Sequence, residues 1–164
     1  MLTDVDGVMT DGTILLLPDG GEARAFHVRD GLGVVLARRA GLRIGIVSGR
    51  SSDSVTRRAG ELGIEIVRQG VVDKTAALRE IVAAEGIVPS QVAYMGDDVN
   101  DLGVMGEVGL SAAPADAPFE VRAQAYMVTE ARGGRGCLRE FLEAILRARE
   151  EWEGLVAGLT APEA

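Results

Sequence analysis

Short β-rich apolar runs alternate with longer helix-patterned segments along nearly the whole chain, and that alternation leaves few folds open. Strands are expected at Leu2–Val5, Leu42–Val47, Ile64–Val67, Val92–Met95, Val108–Ser111 and Tyr126–Val128, each brief and mostly apolar as strands buried on both faces are. Helices are expected at Gly31–Ala40, Asp53–Leu62, Lys74–Glu85, Asp98–Glu107, Ala117–Ala123 and Gly136–Arg149. Gly41, Gly63, Gly86 and Gly109, with Pro89-Ser90, punctuate their ends. The pattern predicts an α/β fold, a three-layer sandwich with a central parallel sheet. With 164 residues, 47% hydrophobic and 26% charged, the chain suits one domain, 1–149, followed by a tail, 150–164, with no internal repeat or linker.

One segment breaks the alternation. "GTILLLPDGGEARAFHV", Gly12 to Val28, reads as a β-hairpin around a Pro-Asp-Gly-Gly turn, inserted after the first strand. Ile14, Leu15, Leu16 and Leu17 run consecutively, so one face of the hairpin is unsuited to water and should be covered.

A net charge of −8 and a pI of about 4.7 argue against a general nucleic-acid binder, which needs a basic surface. A small anion at a local positive site remains open. The single cysteine, Cys137, cannot form an internal disulfide and reads as a core filler. No signal peptide or long apolar span is visible, so the expectation is a cytoplasmic protein without membrane contact.

In open α/β sheets, sites form at the carboxyl ends of the strands. There the first strand delivers Asp4 and Asp6, the second ends in "IVSGR" with Ser48 and Arg50, Lys74 follows the third in "QGVVDK", and the fourth ends in "YMGDDVND" with Asp97, Asp98 and Asp101. Side chains at i and i+2 share a face of a strand, so Asp4 and Asp6 repel unless a positive partner intervenes. The set suits phosphoryl transfer through a carboxylate nucleophile with a divalent metal. Asp4 and Asp97 would neutralise Mg²⁺, a cation that prefers oxygen ligands. Ser48, Lys74 and backbone N–H groups near Gly7 would hold phosphoryl oxygens. Asp6 suits proton donation to the leaving alkoxide, then proton removal from the attacking water.

"DVDGVMT", "VSGR", the lysine of "VVDK" and "GDDVND" resemble, in order, the four motifs of the haloacid dehalogenase superfamily. The resemblance implies a Rossmann-like core, with Asp4 as nucleophile, Asp6 as acid/base, Ser48 and Lys74 as phosphate binders and Asp97 as metal ligand. It also implies that the backbone carbonyl of Asp6 reaches the metal. "DVDGVMTDG", "FHVRDGLG", "GDDVNDLGVM", "VGLSAAPADA" and "RGGRG" extend the resemblance, over almost the entire length, to the capless 3-deoxy-D-manno-octulosonate 8-phosphate phosphatases of lipopolysaccharide synthesis. Arg50 and Arg135 resemble that eight-carbon form and are expected to bind substrate. "QGVVDK" and "PADAPFEVR" are shared with phosphatases of the nine-carbon 2-keto-3-deoxynonulosonate 9-phosphate. The implied partner is therefore a small phosphorylated acid sugar.

Other readings stay open at this level. Asp98 and Asp101 either act directly or support a group that does, and they also suit the first turn of a helix. Arg132 and Arg135 form an anion-contact loop or merely solvate a helix start. His27, the only histidine, is read as structural. A receiver-type phospho-switch also uses acids, Mg²⁺, a Ser/Thr and a Lys, but here no acid follows the third strand in the required order. A non-catalytic oligomerisation domain would be expected to lose some of the four motifs. Only Met1, Leu2 and Thr3 precede Asp4, so either the first strand is unusually short or the natural chain extends further. The spacings Asp4–Ser48 and Ser48–Lys74 leave no room for a cap domain. Cover is therefore expected from a homotetramer with shared active sites, its hairpins closing edge to edge as in the resembling family. "EEWEGLVAGLTAPEA" either frays or folds over a neighbouring site.

Overall fold

The computed structural model describes residues 1–160. Eight strands and seven helices follow in chain order: β1 (Leu2–Thr3), β2 (Leu15–Leu16), β3 (Glu22–Ala23), α1 (Val28–Arg39), β4 (Gly45–Val47), α2 (Asp53–Leu62), β5 (Ile66–Arg68), α3 (Lys74–Glu85), β6 (Ala93–Met95), α4 (Leu102–Glu107), β7 (Leu110–Ala113), α5 (Phe119–Gln124), β8 (Met127–Val128), α6 (Cys137–Ala148) and α7 (Trp152–Thr160). Six strands form one sheet in the order β5-β4-β1-β6-β7-β8, every pair parallel, and β2-β3 forms a separate antiparallel hairpin. Among the described residues, no cap domain interrupts the sandwich, in keeping with the sequence spacing.

Strand alternation divides the core into two layers. Val5, Ile46, Met95 and Ala112 face α1, α2, α6 and α7, where Val34, Leu36, Val55, Leu138, Phe141 and Leu142 are buried. Leu2, Val47, Tyr94 and Ala113 face α3, α4 and α5, where Leu78, Ile81, Val104 and Val121 are buried. Asp30 fastens α1 to the start of α6, accepting the backbone N–H groups of Gly136 (3.2 Å) and Arg139 (2.8 Å). Its buried carboxylate thereby satisfies two of the N–H groups that a helix start leaves unpaired.

Several boundaries differ from the sequence pattern for local reasons. The first strand stops at Thr3 rather than Val5 because the Val5 carbonyl accepts the N–H groups of Val8, Met9 and Thr10 and curls the chain out of the sheet. The helix expected at Asp98–Glu107 opens as a 3₁₀ turn, Val99–Asp101, before α4. The stretch expected to be a tail continues as α7 over its described part. Its Trp152 is buried in the first core layer, beneath the guanidinium groups of Arg139 and Arg147 at 4.6 and 5.5 Å. Residues 161–164 lie outside the described residues. The hairpin forms as expected after β1, but only two residues of each strand pair, and Leu15, Leu16 and Leu17 are 60%, 80% and 43% exposed. Among the described residues, no helix is long and apolar enough to cross a membrane.

Candidate active site

β1 lies between β4 and β6, so the loops leaving these three strands converge. The Asp4 N–H donates to the Met95 carbonyl at 2.9 Å, the last ladder bond before the chain leaves the sheet. Ser48 follows β4, its N–H donating to the Arg68 carbonyl at 2.8 Å. Lys74 is the first residue of α3, a helix started by the Asp73 carboxylate accepting the Ala76 N–H at 2.9 Å. Asp4, Asp6, Ser48, Arg50, Asp97 and Asp98 line one cavity of about 160 Å³.

Lys74 Nζ bridges two acids, 2.8 Å from Asp4 Oδ2 and 2.6 Å from Asp101 Oδ1, with Lys74 and Asp101 almost wholly buried. Asp101 spends both oxygens on support. Oδ1 also accepts from the Tyr94 hydroxyl, and Oδ2 accepts the N–H groups of Asp97 (3.1 Å) and Asp98 (3.3 Å). Burial and the Asp101 charge push the Tyr94 hydroxyl well above its usual range, so it remains a donor. Asp98 is exposed and accepts the Val99 N–H at 2.7 Å, starting the 3₁₀ turn.

Asp97 is different. Its Oδ1 is buried and has no hydrogen-bond partner. Burial, then the nearby Asp4 and Asp101 charges, raise its carboxyl to about 8. Asp4 is raised to about 6 by burial, against the opposing pull of Lys74. Carboxylate oxygens of Asp4, Asp97 and Asp101 lie within 4.8 Å of one another. An unpartnered oxygen among crowded acids that resist ionisation is the condition a hard divalent cation relieves. The residues present therefore fit a metal held by Asp4 and Asp97, Asp101 being committed to Lys74 and the loop. Gly7 makes room for this: its φ is +88°, and a Cβ there would stand 1.9 Å from Asp97 Oδ2.

Arg135, expected at the substrate, is not among the residues lining this cavity; it pairs with Asp11 at 3.4 Å on the surface. The "RGGRG" loop instead braces the chain after Asp4. The Gly134 N–H donates to the Val8 carbonyl at 2.8 Å, and a Cβ on Gly133 would stand 1.9 Å from the Gly7 carbonyl oxygen. Sequence reasoning missed Arg24, which reaches this cavity through Asp6, as it missed the Tyr94 hydroxyl on Asp101. Arg24 Nε donates to Asp6 Oδ1 at 2.7 Å. Alternation along the second hairpin strand marks Glu22 and Arg24 as sharing a face, but nothing local aims that face at Asp6.

Residues 52–137 match the family model described as haloacid dehalogenase-like hydrolase. The 3-deoxy-D-manno-octulosonate 8-phosphate phosphatase KdsC of Yersinia pestis is 43% identical over 154 residues, 94% of this chain and 82% of that protein. The chain belongs to the haloacid dehalogenase-like hydrolases. Among solved structures, the corresponding phosphatase of Moraxella catarrhalis, in complex with magnesium, phosphate and KDO, superposes with a TM-score of 0.95 at 38% identity, covering 97% of this chain and 91% of that one. The cobalt-bound form of the Haemophilus influenzae phosphatase gives 0.89 at 38% identity, covering 92% and 88%. Family membership sets aside the receiver-type switch, and a hydrolase of this family acting on phosphoric monoesters accounts for the acid cluster as a Mg²⁺ site.

Proposed function

We propose that the chain hydrolyses the phosphate monoester of a phosphorylated 2-keto-3-deoxy acid sugar, 3-deoxy-D-manno-octulosonate 8-phosphate, through an aspartyl-phosphate on Asp4. The observation that carries the chemistry is Lys74 bridging Asp4 and Asp101 beside the unpartnered Asp97 oxygen. The choice of sugar is supported by the likeness to the Yersinia enzyme over nearly the whole chain.

An Asp4 oxygen attacks phosphorus while Lys74 and Ser48 hold non-bridging oxygens, the lysine acting as a buried point charge where transition-state charge resides. As the ester P–O bond breaks, Asp6 gives a proton to the leaving alkoxide; it then takes one from the water that attacks the acyl phosphate. Backbone N–H groups beside Gly7 add donors. Asp4 and Asp97, with the Asp6 carbonyl as the family resemblance implies, would hold Mg²⁺, which would supply the charge that keeps both carboxylates ionised and offsets that of the phosphoryl group. Arg50, its side chain 56% exposed and lining the cavity, is proposed to meet the acid sugar. Asp98 and Asp101 support the loop rather than the reacting atoms.

The active assembly is proposed to be a cytoplasmic homotetramer, supported by the exposed Leu15–Leu17 run and by a site open in one subunit. Arg135 would then border a neighbour's site. Phosphate release measured over a panel of acid-sugar phosphates tests the reading, with the eight- and nine-carbon 2-keto-3-deoxy compounds compared by kcat/KM. A higher kcat/KM for the nine-carbon ester would move the assignment to that substrate, and no turnover of either would overturn it.

A further inference from the structure

Asp6 lines the cavity with its side chain 20% exposed, yet neither of its oxygens is free. Arg24 Nε donates to Oδ1 at 2.7 Å and a terminal nitrogen donates to Oδ2 at 3.3 Å, while the other terminal nitrogen donates to Glu22. The Arg24 side chain is 1% exposed. A cation taken that far from water is tolerated only when it is paired and hydrogen-bonded, and here two acids share the fork. A guanidinium gripping both oxygens of a carboxylate fixes its plane as well as its place, which a point charge would not. Arg24 just follows β3 and reaches the loop after β1 from the hairpin.

We propose that Arg24 is the positioning residue for Asp6: its Nε holds Oδ1 at 2.7 Å, and the longer 3.3 Å contact gives way so that Oδ2 carries the proton to the leaving oxygen. The inference rests on the phosphatase reading above and adds a part to it. The proton that Asp6 delivers matters most when the leaving oxygen is strongly basic and least when it departs as a stable anion. A residue that aims Asp6 therefore affects esters in proportion to the basicity of their leaving groups. A residue that only fastens the hairpin lowers all of them alike.

The test is a series of aryl phosphates from 4-nitrophenyl phosphate to phenyl phosphate, compared by kcat/KM in the Mg²⁺-loaded enzyme. These esters carry no carboxylate, so sugar recognition does not enter. The ratio kcat/KM reports steps up to formation of the aspartyl-phosphate and not its later hydrolysis. Asp6→Asn and Arg24→Met are both expected to steepen the leaving-group dependence, losing about 100-fold on phenyl phosphate and under about 10-fold on the 4-nitrophenyl ester. Arg24→Lys keeps the charge without the fork and should fall between wild type and Arg24→Met; it carries the test alone if Arg24→Met does not fold. An equal loss across the series, or none, overturns the positioning role. A wild-type enzyme that cleaves none of these esters but releases phosphate from the sugar ester would leave the phosphatase reading intact and overturn the aiming of a general acid that serves any leaving group.

Discussion

The acid cluster at the end of β1 and the hairpin that follows it are separated by a few residues and are finished to different degrees. At the cluster, Lys74 and Asp101 are buried and each is bonded to more than one partner. At the hairpin, a two-residue ladder carries three consecutive leucines into solvent. The first region is assembled within one chain, Lys74 and Asp101 satisfying one another and leaving the unpartnered Asp97 oxygen for a cation. The second presents an unpaired apolar edge, the kind of surface proteins usually cover. The charged groups are thus gathered within the chain itself, whereas the hairpin beside them is left exposed.

The contrast can be broken from either side. Asp4→Asn should have the largest effect, reducing steady-state phosphate release to background, because an amide does not form an acyl phosphate. Measurable turnover by that variant would remove Asp4 from the role of nucleophile. Lys74→Met strips the buried acids of their cation and should cost about 3 kcal/mol or more in urea unfolding, together with most activity. A variant that loses activity at full stability would show that the cluster is held by something other than its charge pairs. Leu15→Asp with Leu17→Asp should act oppositely. Subunit stability should change by under about 0.5 kcal/mol per site, while light scattering shows a smaller assembly and activity falls about tenfold or more through lost positioning. A fully active monomer would dissolve the contrast.

The mildest test is pH. In chelator, the folded chain holds Asp4 at about 6 and Asp97 at about 8, above the usual carboxylate range near 4, and burial raises Asp30 as well. The native state then binds protons that the unfolded chain releases, so this stability is fully present at low pH and is lost as pH rises through those values. The melting temperature of metal-free protein should fall between about pH 5 and about pH 8, and Mg²⁺ should raise it more at the higher pH. An equal metal shift at both pH values would show that the cation does not displace those protons.

What the sequence made legible follows the same division. Asp4, Ser48, Lys74 and Asp97 could be read because each follows a strand end, and strand ends of a parallel sheet converge whatever the rest of the chain does. Asp101 stood open between two roles, since its spacing from Asp97 does not reveal that Tyr94 and Lys74 would occupy it. Tyr94 falls within the expected strand Val92–Met95, and its hydroxyl gains meaning from a residue in the loop beyond that strand. Arg24 was invisible because its partner lies across a fold-back of the hairpin. Trp152 was read as part of a tail because an aromatic after Arg149 gives no local sign that Arg139 and Arg147 lie over it.

The bracing of the loop after β1 has a consequence for synthesis. That loop is made before the partners that hold it: Val8 accepts from Gly134 and from the Cys137 thiol, and β1 itself pairs with Gly45 and Tyr94. Asp4 waits for neighbours that emerge later from the ribosome, so the nascent chain carries this carboxylate unassembled until they have been made. The turn after β1 is locked only once the glycine loop near residue 134 has been made and packs back against it.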